Sequence, residues 1–316
     1  MTRPPPRDAS RDLYRRAKPK TAGTSRPAPA SPSAASDAAG SKLVTSLANP
    51  VVKDLRALHM KKERAESGLF LAEGLKLVTD ALEENWPIRT LVHATRVADQ
   101  PLVKRAIATA KARGALVLEV SDEVLTKICR RDNPQMVVAA FEQRLRRLDE
   151  LTEPRGVWVA LEGIKDPGNL GTIIRTVDSV GASGVILLGD VTDPFALEAV
   201  RATMGSLFHV PLVAASLPDF VAWKRARGIA VWGTHLKGAV DYRTVDWPET
   251  CVLMMGNEQS GLSDAHVEAC DGIVKIPMAG RADSLNLAVA TAGMPYEIPA
   301  HRLTVGVPRP PAERQP

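Results

Sequence analysis

Gly156-Val-Trp-Val-Ala-Leu161 is an almost unbroken apolar run, and shortly after it comes Asn169-Leu-Gly-Thr-Ile-Ile-Arg175. The first has the composition of a strand buried on both faces of a parallel sheet, and the second opens a helix through a glycine turn. The same juncture recurs twice. Met255-Gly-Asn-Glu-Gln-Ser-Gly261 follows the apolar run from Cys251 to Met255, and Ile276-Pro-Met-Ala-Gly-Arg-Ala-Asp-Ser-Leu-Asn286 follows the run from Gly272 to Ile276. Each puts polar residues at the carboxyl end of a strand, where open α/β sheets bind their ligands. Around these runs, strands at Gly184 to Leu188, Val210 to Val213 and Ile229 to Thr234 alternate with helices. The helices are read at Leu170 to Val180, Phe195 to Ser206, Pro218 to Arg227, Ser263 to Cys270 and Leu285 to Met294. This alternation predicts a parallel α/β sheet.

Upstream, the same alternation describes a smaller α/β domain. Helices are read at Pro50 to Ala65, Leu75 to Glu84, Leu102 to Ala112 and Asp122 to Ile128, with strands at Leu69 to Ala72, Ile88 to His93, Leu116 to Val120 and Met136 to Phe141. The charged stretch Glu142 to Glu150 followed by Pro154 reads as the connection. The expected division is therefore a domain over 43–146, a linker over 147–154, a larger domain over 155–300 and a tail over 301–316. Residues 1–42 are rich in Pro, Ala, Ser and Arg with almost nothing to bury, and are read as disordered. An Arg-rich leader also suits an organellar transit peptide, but Asp8, Asp12 and the prolines favour the tail of a bacterial protein.

A chain of 316 residues with 45% hydrophobic content suits two globular domains. No apolar run would span a bilayer and no secretory signal is evident, so a cytoplasmic location without membrane contact is expected. Cys129, Cys251 and Cys270 are far apart and lack metal-ligand spacing, so neither a disulfide framework nor a metal site is indicated. The charge is unevenly placed. Lys and Arg exceed Asp and Glu by eight to three over residues 1–40 and by nineteen to fifteen over 41–150, whereas 151–300 carry eleven against seventeen. A polyanion would be gripped by the first half and presented to the second. Lys53, Arg56, Lys61, Lys62 and Arg64 share one short helical stretch, and Arg130 and Arg131 sit in a turn before a strand. These seven are the candidate nucleic-acid contacts.

The three ordered segments resemble motifs one, two and three of the SpoU/TrmH family of RNA ribose 2′-O-methyltransferases, over residues 155 to 298. Leu47-Ala-Asn-Pro-Val-Val-Lys53, Lys61-Lys-Glu-Arg64 and Gly68-Leu-Phe-Leu-Ala-Glu-Gly74 resemble that family's RNA-binding domain. The resemblance implies a trefoil knot in the last part of the sheet, an exception to the general absence of knots, and a homodimer formed through it. It implies S-adenosylmethionine as cofactor and RNA as partner, ribosomal RNA ahead of transfer RNA. A non-catalytic RNA-binding protein on the same scaffold is the alternative class, and intact motif residues argue against it. A dehydrogenase or hydrolase would need a GxGxxG, P-loop or Ser-His-Asp signal that the chain lacks.

By the same resemblance, Asn169, Arg175, Glu258, Ser284 and Asn286 are the catalytic candidates. Gly256, Asn257, Ile276, Met278 and Leu285 are the candidates for cofactor contact. Asn169 would orient either the donor's amino acid end or the acceptor hydroxyl, and Arg175 would hold a phosphate beside the target ribose. Both can face one mouth if Asn169 precedes the first helical turn. As plain structure, Asn169 would instead cap the helix, Arg175 would pair with Asp178, and Ser284 or Asp283 would cap the last helix. Glu258 would orient RNA, pair with Arg175 or sit in a solvated turn. Pro295 is expected to kink or end the last helix. A fragment beginning near Glu153 would still bind S-adenosylmethionine while losing RNA.

Overall fold

The computed structural model describes residues 43–235, 240–281 and 284–298. Both expected tails and Asp283 lie outside them. The chain forms two compact units, and the division is not a single cut. The first gathers the described residues up to Arg144 together with Asp193–Phe208, and the second holds Leu145–Thr192 and the described residues from His209 onward.

The first unit contains α1 (Pro50–Ala57), α2 (Lys61–Ser67), β1 (Leu69–Glu73), α3 (Leu75–Glu83), β2 (Ile88–Ala94), α4 (Pro101–Ala112), β3 (Leu116–Val120), α5 (Asp122–Cys129) and β4 (Val137–Glu142). Its sheet runs β1-β4-β2-β3, with β4 antiparallel to both neighbours and β2 parallel to β3. The helix expected from Pro50 to Ala65 is two helices. Asn49 caps α1 by accepting from Val51 N at 2.9 Å. The break follows because Arg64 Nη1 donates to Leu58 O and His59 O, at 2.8 and 3.0 Å, carbonyls a continuous helix would use itself. The core is aromatic, and two of its rings come from far along the chain. Phe195 and Phe208 pack on Phe70 and Trp86, and Trp86 Nε1 donates to Phe208 O at 3.1 Å. Between them lies α7 (Leu197–Ala202). The segment expected within the larger domain therefore completes the smaller one.

The second unit contains β5 (Arg146–Arg147), β6 (Val157–Glu162), α6 (Pro167–Ser179), β7 (Gly184–Leu188), β8 (Leu212–Ala215), α8 (Leu217–Arg227), β9 (Ala230–Thr234), β10 (Val240–Asp241), β11 (Cys251–Met255), α9 (Asp264–Glu268), β12 (Gly272–Lys275) and α10 (Leu287–Glu297). Eight strands form one sheet in the order β10-β12-β9-β11-β6-β7-β8-β5, every pairing parallel. The expected linker belongs to this unit: β5 pairs with β8, and Leu148 and Leu151 join the core that holds Trp158, Phe220 and Trp223. Alternation along β6 explains the layering, since Trp158 and Ala160 belong to that cluster while Val159 and Leu161 point to the opposite face. α10 runs through Pro295 instead of stopping there. The proline cannot donate to the preceding turn, and Thr291 Oγ1 makes its own bond to Leu287 O at 2.7 Å.

Candidate active site

The carboxyl ends of β9, β11 and β12 open on a cleft of about 480 Å³. Its lining includes Gly256, Asn257, Glu258, Ile276, Met278, Ser284 and Leu285, so seven sequence candidates from two distant motifs share one cavity. Gly256 is fixed by crowding, because a Cβ there would run into the Gly261 backbone. Asn257 holds the turn shut: Oδ1 accepts from Gln259 N at 2.9 Å and Nδ2 donates to Gly163 O at 2.7 Å. Its side chain is thus committed to the loop, and its backbone N–H and C=O both pair with Gly261.

Asn169, Glu258 and Asn286 meet at one edge. Asn169 Nδ2 donates to Glu258 Oε1 at 3.2 Å, and Asn286 Nδ2 donates to Asn169 Oδ1 at 3.1 Å. Asn286 Oδ1 accepts from Ala288 N and Val289 N, at 2.9 and 3.4 Å, so it is the residue that caps α10. Both ends of this chain have fixed polarity, a carboxylate that accepts and backbone amides that donate. The amide orientations between them follow. Asn169 does not have the capping role that plain structure would give it. Asp166 caps α6 by accepting from Asn169 N at 2.6 Å, which frees the Asn169 side chain for the relay. Ser284 lines the cleft but does not cap α10.

Arg175 is not brought to this cleft. Asn169 sits in the first turn of α6 and not ahead of it, so Arg175 lies roughly 240° further round the helix. It is exposed.

Beneath the loop of motif two is a clamp that sequence reasoning missed. Glu162, ending β6, accepts from Ser263 N at 3.0 Å and lies 2.8 Å from His266 Nδ1. Burial pushes the Glu162 carboxyl up, but the bonds from His266 and Ser263 outweigh it and hold its pKa below the usual value. No spacing in the sequence joins residues a hundred positions apart. The Asp166 cap was legible, since Asp followed by Pro is a helix-start signal.

Comparisons with known proteins bear directly on this geometry. Residues 156–296 match the SpoU rRNA Methylase family, and residues 49–139 match an MRM3-like substrate binding domain. The chain is 33% identical to the 23S rRNA (guanosine(2553)-2′-O)-methyltransferase RlmP of Bacillus subtilis, over 81% of this chain and 99% of that protein. The chain belongs to the SpoU methylase family. A 23S rRNA (uridine(2479)-2′-O)-methyltransferase of Streptomyces viridochromogenes is 32% identical over 77% of this chain and 87% of that one. The AdoMet-bound crystal structure of an rRNA methyltransferase from Sinorhizobium meliloti superposes with a TM-score of 0.78 at 54% identity, covering 83% of this chain and 99% of that one. As a SpoU methylase the chain is an enzyme whose cofactor is S-adenosylmethionine.

The candidate RNA contacts of this SpoU protein divide by burial. Lys53, Lys61, Lys62, Arg130 and Arg131 are exposed, and Arg56 is half-buried. Arg64 is corrected. Only 5% exposed, it pairs with Asp193 at 2.7 Å while holding the carbonyls that split α1 from α2. It is a structural arginine, unavailable to RNA. Among the described residues no cluster of three or more metal-ligating side chains occurs, and no helix is long and apolar enough to cross a membrane.

Proposed function

We propose that this chain methylates a ribose 2′-hydroxyl of ribosomal RNA, with the second unit performing the transfer and the first capturing the RNA. The observation that carries the reading is the convergence of motifs one, two and three on one cleft edge through the Glu258, Asn169 and Asn286 relay. The cleft suits the cofactor. Its volume falls within the roughly 300–1,000 Å³ of small-molecule sites. Ile276, Met278 and Leu285 offer an apolar edge, and the backbone at Gly256 is bare of side chain. Bound there, S-adenosylmethionine supplies a methyl group already activated on its sulfonium.

What remains for the protein is mainly positioning. The relay uses one Asn169 amide hydrogen and one lone pair, leaving one of each to orient the ribose hydroxyl or the donor's amino acid end. Arg175 keeps its proton under ordinary conditions and, lying outside the cleft on another face of α6 from Asn169, is a fixed cation available to an RNA phosphate away from the reacting atoms. The hydroxyl proton leaves to an RNA phosphate or to water. Ser284 completes the pocket wall beside Leu285.

The trefoil knot and a homodimer belong to the same reading. Support for the knot is that β11 lies between β9 and β6 while α10 folds back against α6. Support for the dimer is the apolar surface at Val289 and Leu285, 56% and 42% exposed. Sedimentation at micromolar concentration should report a dimer, and an active monomer would refute it. A cytoplasmic location follows from the substrate.

The test of function is direct. Purified protein, methyl-labelled S-adenosylmethionine and rRNA from cells lacking the protein should yield one labelled 2′-O-methyl nucleotide after nuclease digestion. Label on a base, or none in rRNA, would defeat the proposal, and label confined to tRNA would overturn the choice of substrate.

A further inference from the structure

The loop 130–135 joins α5 to β4 in the first unit and carries Arg130 and Arg131, both exposed and neither in an ion pair among the described residues. One ion pair, between a buried carboxylate and a half-buried guanidinium, holds both ends of it. Glu73 ends β1 with its side chain only 1% exposed. Its Oε1 accepts from Gln135 N at 3.3 Å, at the far end of the loop. Its Oε2 accepts from Arg201, through Nε at 2.8 Å and through Nη2. Arg201 Nη2 reaches on to Cys129 O at 3.4 Å, the last residue of α5. Arg130 follows as the C-cap of α5 with φ of 52°, a left-handed conformation uncommon for a residue other than glycine.

The charges around the loop are already sorted. Arg64 is spent on Asp193 and Arg201 on Glu73, so the positive charge left facing solvent is that of Arg130 and Arg131. The Arg130 charge reaches His59, whose pKa is held below its ordinary value by burial first, and then by Arg130, Arg201 and Arg64. Arg201 comes from Asp193–Phe208, inside the stretch that matches the methylase family yet packed into the first unit.

We infer that Glu73 and Arg201 are positioning residues for RNA capture, a buried carboxylate–guanidinium clamp that sets loop 130–135 so that Arg130 and Arg131 meet the phosphate backbone together. Neither clamp residue touches RNA. The inference rests on the RNA-capture role proposed for the first unit. It adds that a segment belonging by sequence to the methylase half shapes the RNA surface.

The experiment measures binding of the full chain to a 23S rRNA transcript across a salt series, for the wild type, E73Q/R201M, R130A/R131A and the four-fold combination. Removing both clamp charges together avoids leaving one buried and unpaired. The clamp variant should bind roughly tenfold more weakly and lose about 1.4 to 1.8 from the log–log salt slope, two phosphates at roughly 0.7 to 0.9 each. R130A/R131A should lose the same, and the combination no more. Calorimetric affinity for S-adenosylmethionine should stay at the wild-type value. If E73Q/R201M does not fold, R201K carries the test, because it keeps the charge but loses the fork that joins Glu73 to Cys129. Wild-type RNA affinity in the clamp variant, or losses that multiply in the combination, would overturn the inference. A wild-type chain that holds the transcript no better than random RNA of equal length would sink the RNA-capture role itself.

Discussion

Asn169 shows how one residue acquires a role through its neighbours. Its type and place in the sequence suit a helix cap as well as a catalytic group, and Asp166 decides between them by taking the cap. The half-buried side chain neither caps α6 nor fills the core, so Asn169→Ala should leave the thermal midpoint nearly unchanged. Turnover should fall tenfold or more, about 1.4 kcal/mol of transition-state stabilisation, whereas Arg175→Ala, outside the cleft, should weaken RNA binding and leave the single-turnover rate at saturating RNA near normal. A near-normal rate for Asn169→Ala would return it to an ordinary helix position. Arg64 is the opposite case. Sequence clustering groups it with Lys61 and Lys62, but burial separates it from them. Arg64→Ala leaves Asp193 without its partner and two carbonyls unmet, a loss of about 3–5 kcal/mol by analogy with broken buried pairs. Lys61→Ala and Lys62→Ala should each stay within about 0.5 kcal/mol. Urea unfolding of the three variants distinguishes the classes, and equal stability for all would refute the assignment.

Among the elements, strands buried on both faces were legible because a continuous apolar run has few other uses, and β6, β7 and β11 appear where expected. Helix ends were less so. The split between α1 and α2 depends on a side chain six residues beyond Leu58, and α10 continues through a proline that local rules would place at its end. The junction of β6 with α9 carries a pH signature. Glu162 has a depressed pKa in the folded state, so its stabilising contribution is full above the ordinary carboxylate pKa of about 4.3 and disappears as pH falls through the depressed folded value. Thermal unfolding of wild type and Glu162→Gln should therefore differ most near neutrality and converge in acid. A difference independent of pH would mean that the clamp works by shape alone.

At the scale of the molecule, the fragment expected to begin near Glu153 is not a domain. It would lose Leu148 and Leu151 from its core and leave Phe195, Phe208 and Arg201 without the partners they have in the first unit. Such a fragment should show no cooperative thermal transition and should bind a hydrophobic dye; a folded fragment that binds S-adenosylmethionine would refute this. Periodicity, motif order and charge asymmetry determined by themselves the α/β class, the three site loops and the halves in which RNA and cofactor are sought, because each is written in neighbouring residues. Only the tertiary structure decided that Asn169 meets Glu258 and Asn286, that Arg64 is buried, and that Asp193–Phe208 belongs with the first unit. Those facts depend on contacts between residues about ninety or more positions apart. Burial and polar pairing at such separations arise only when the whole chain has packed.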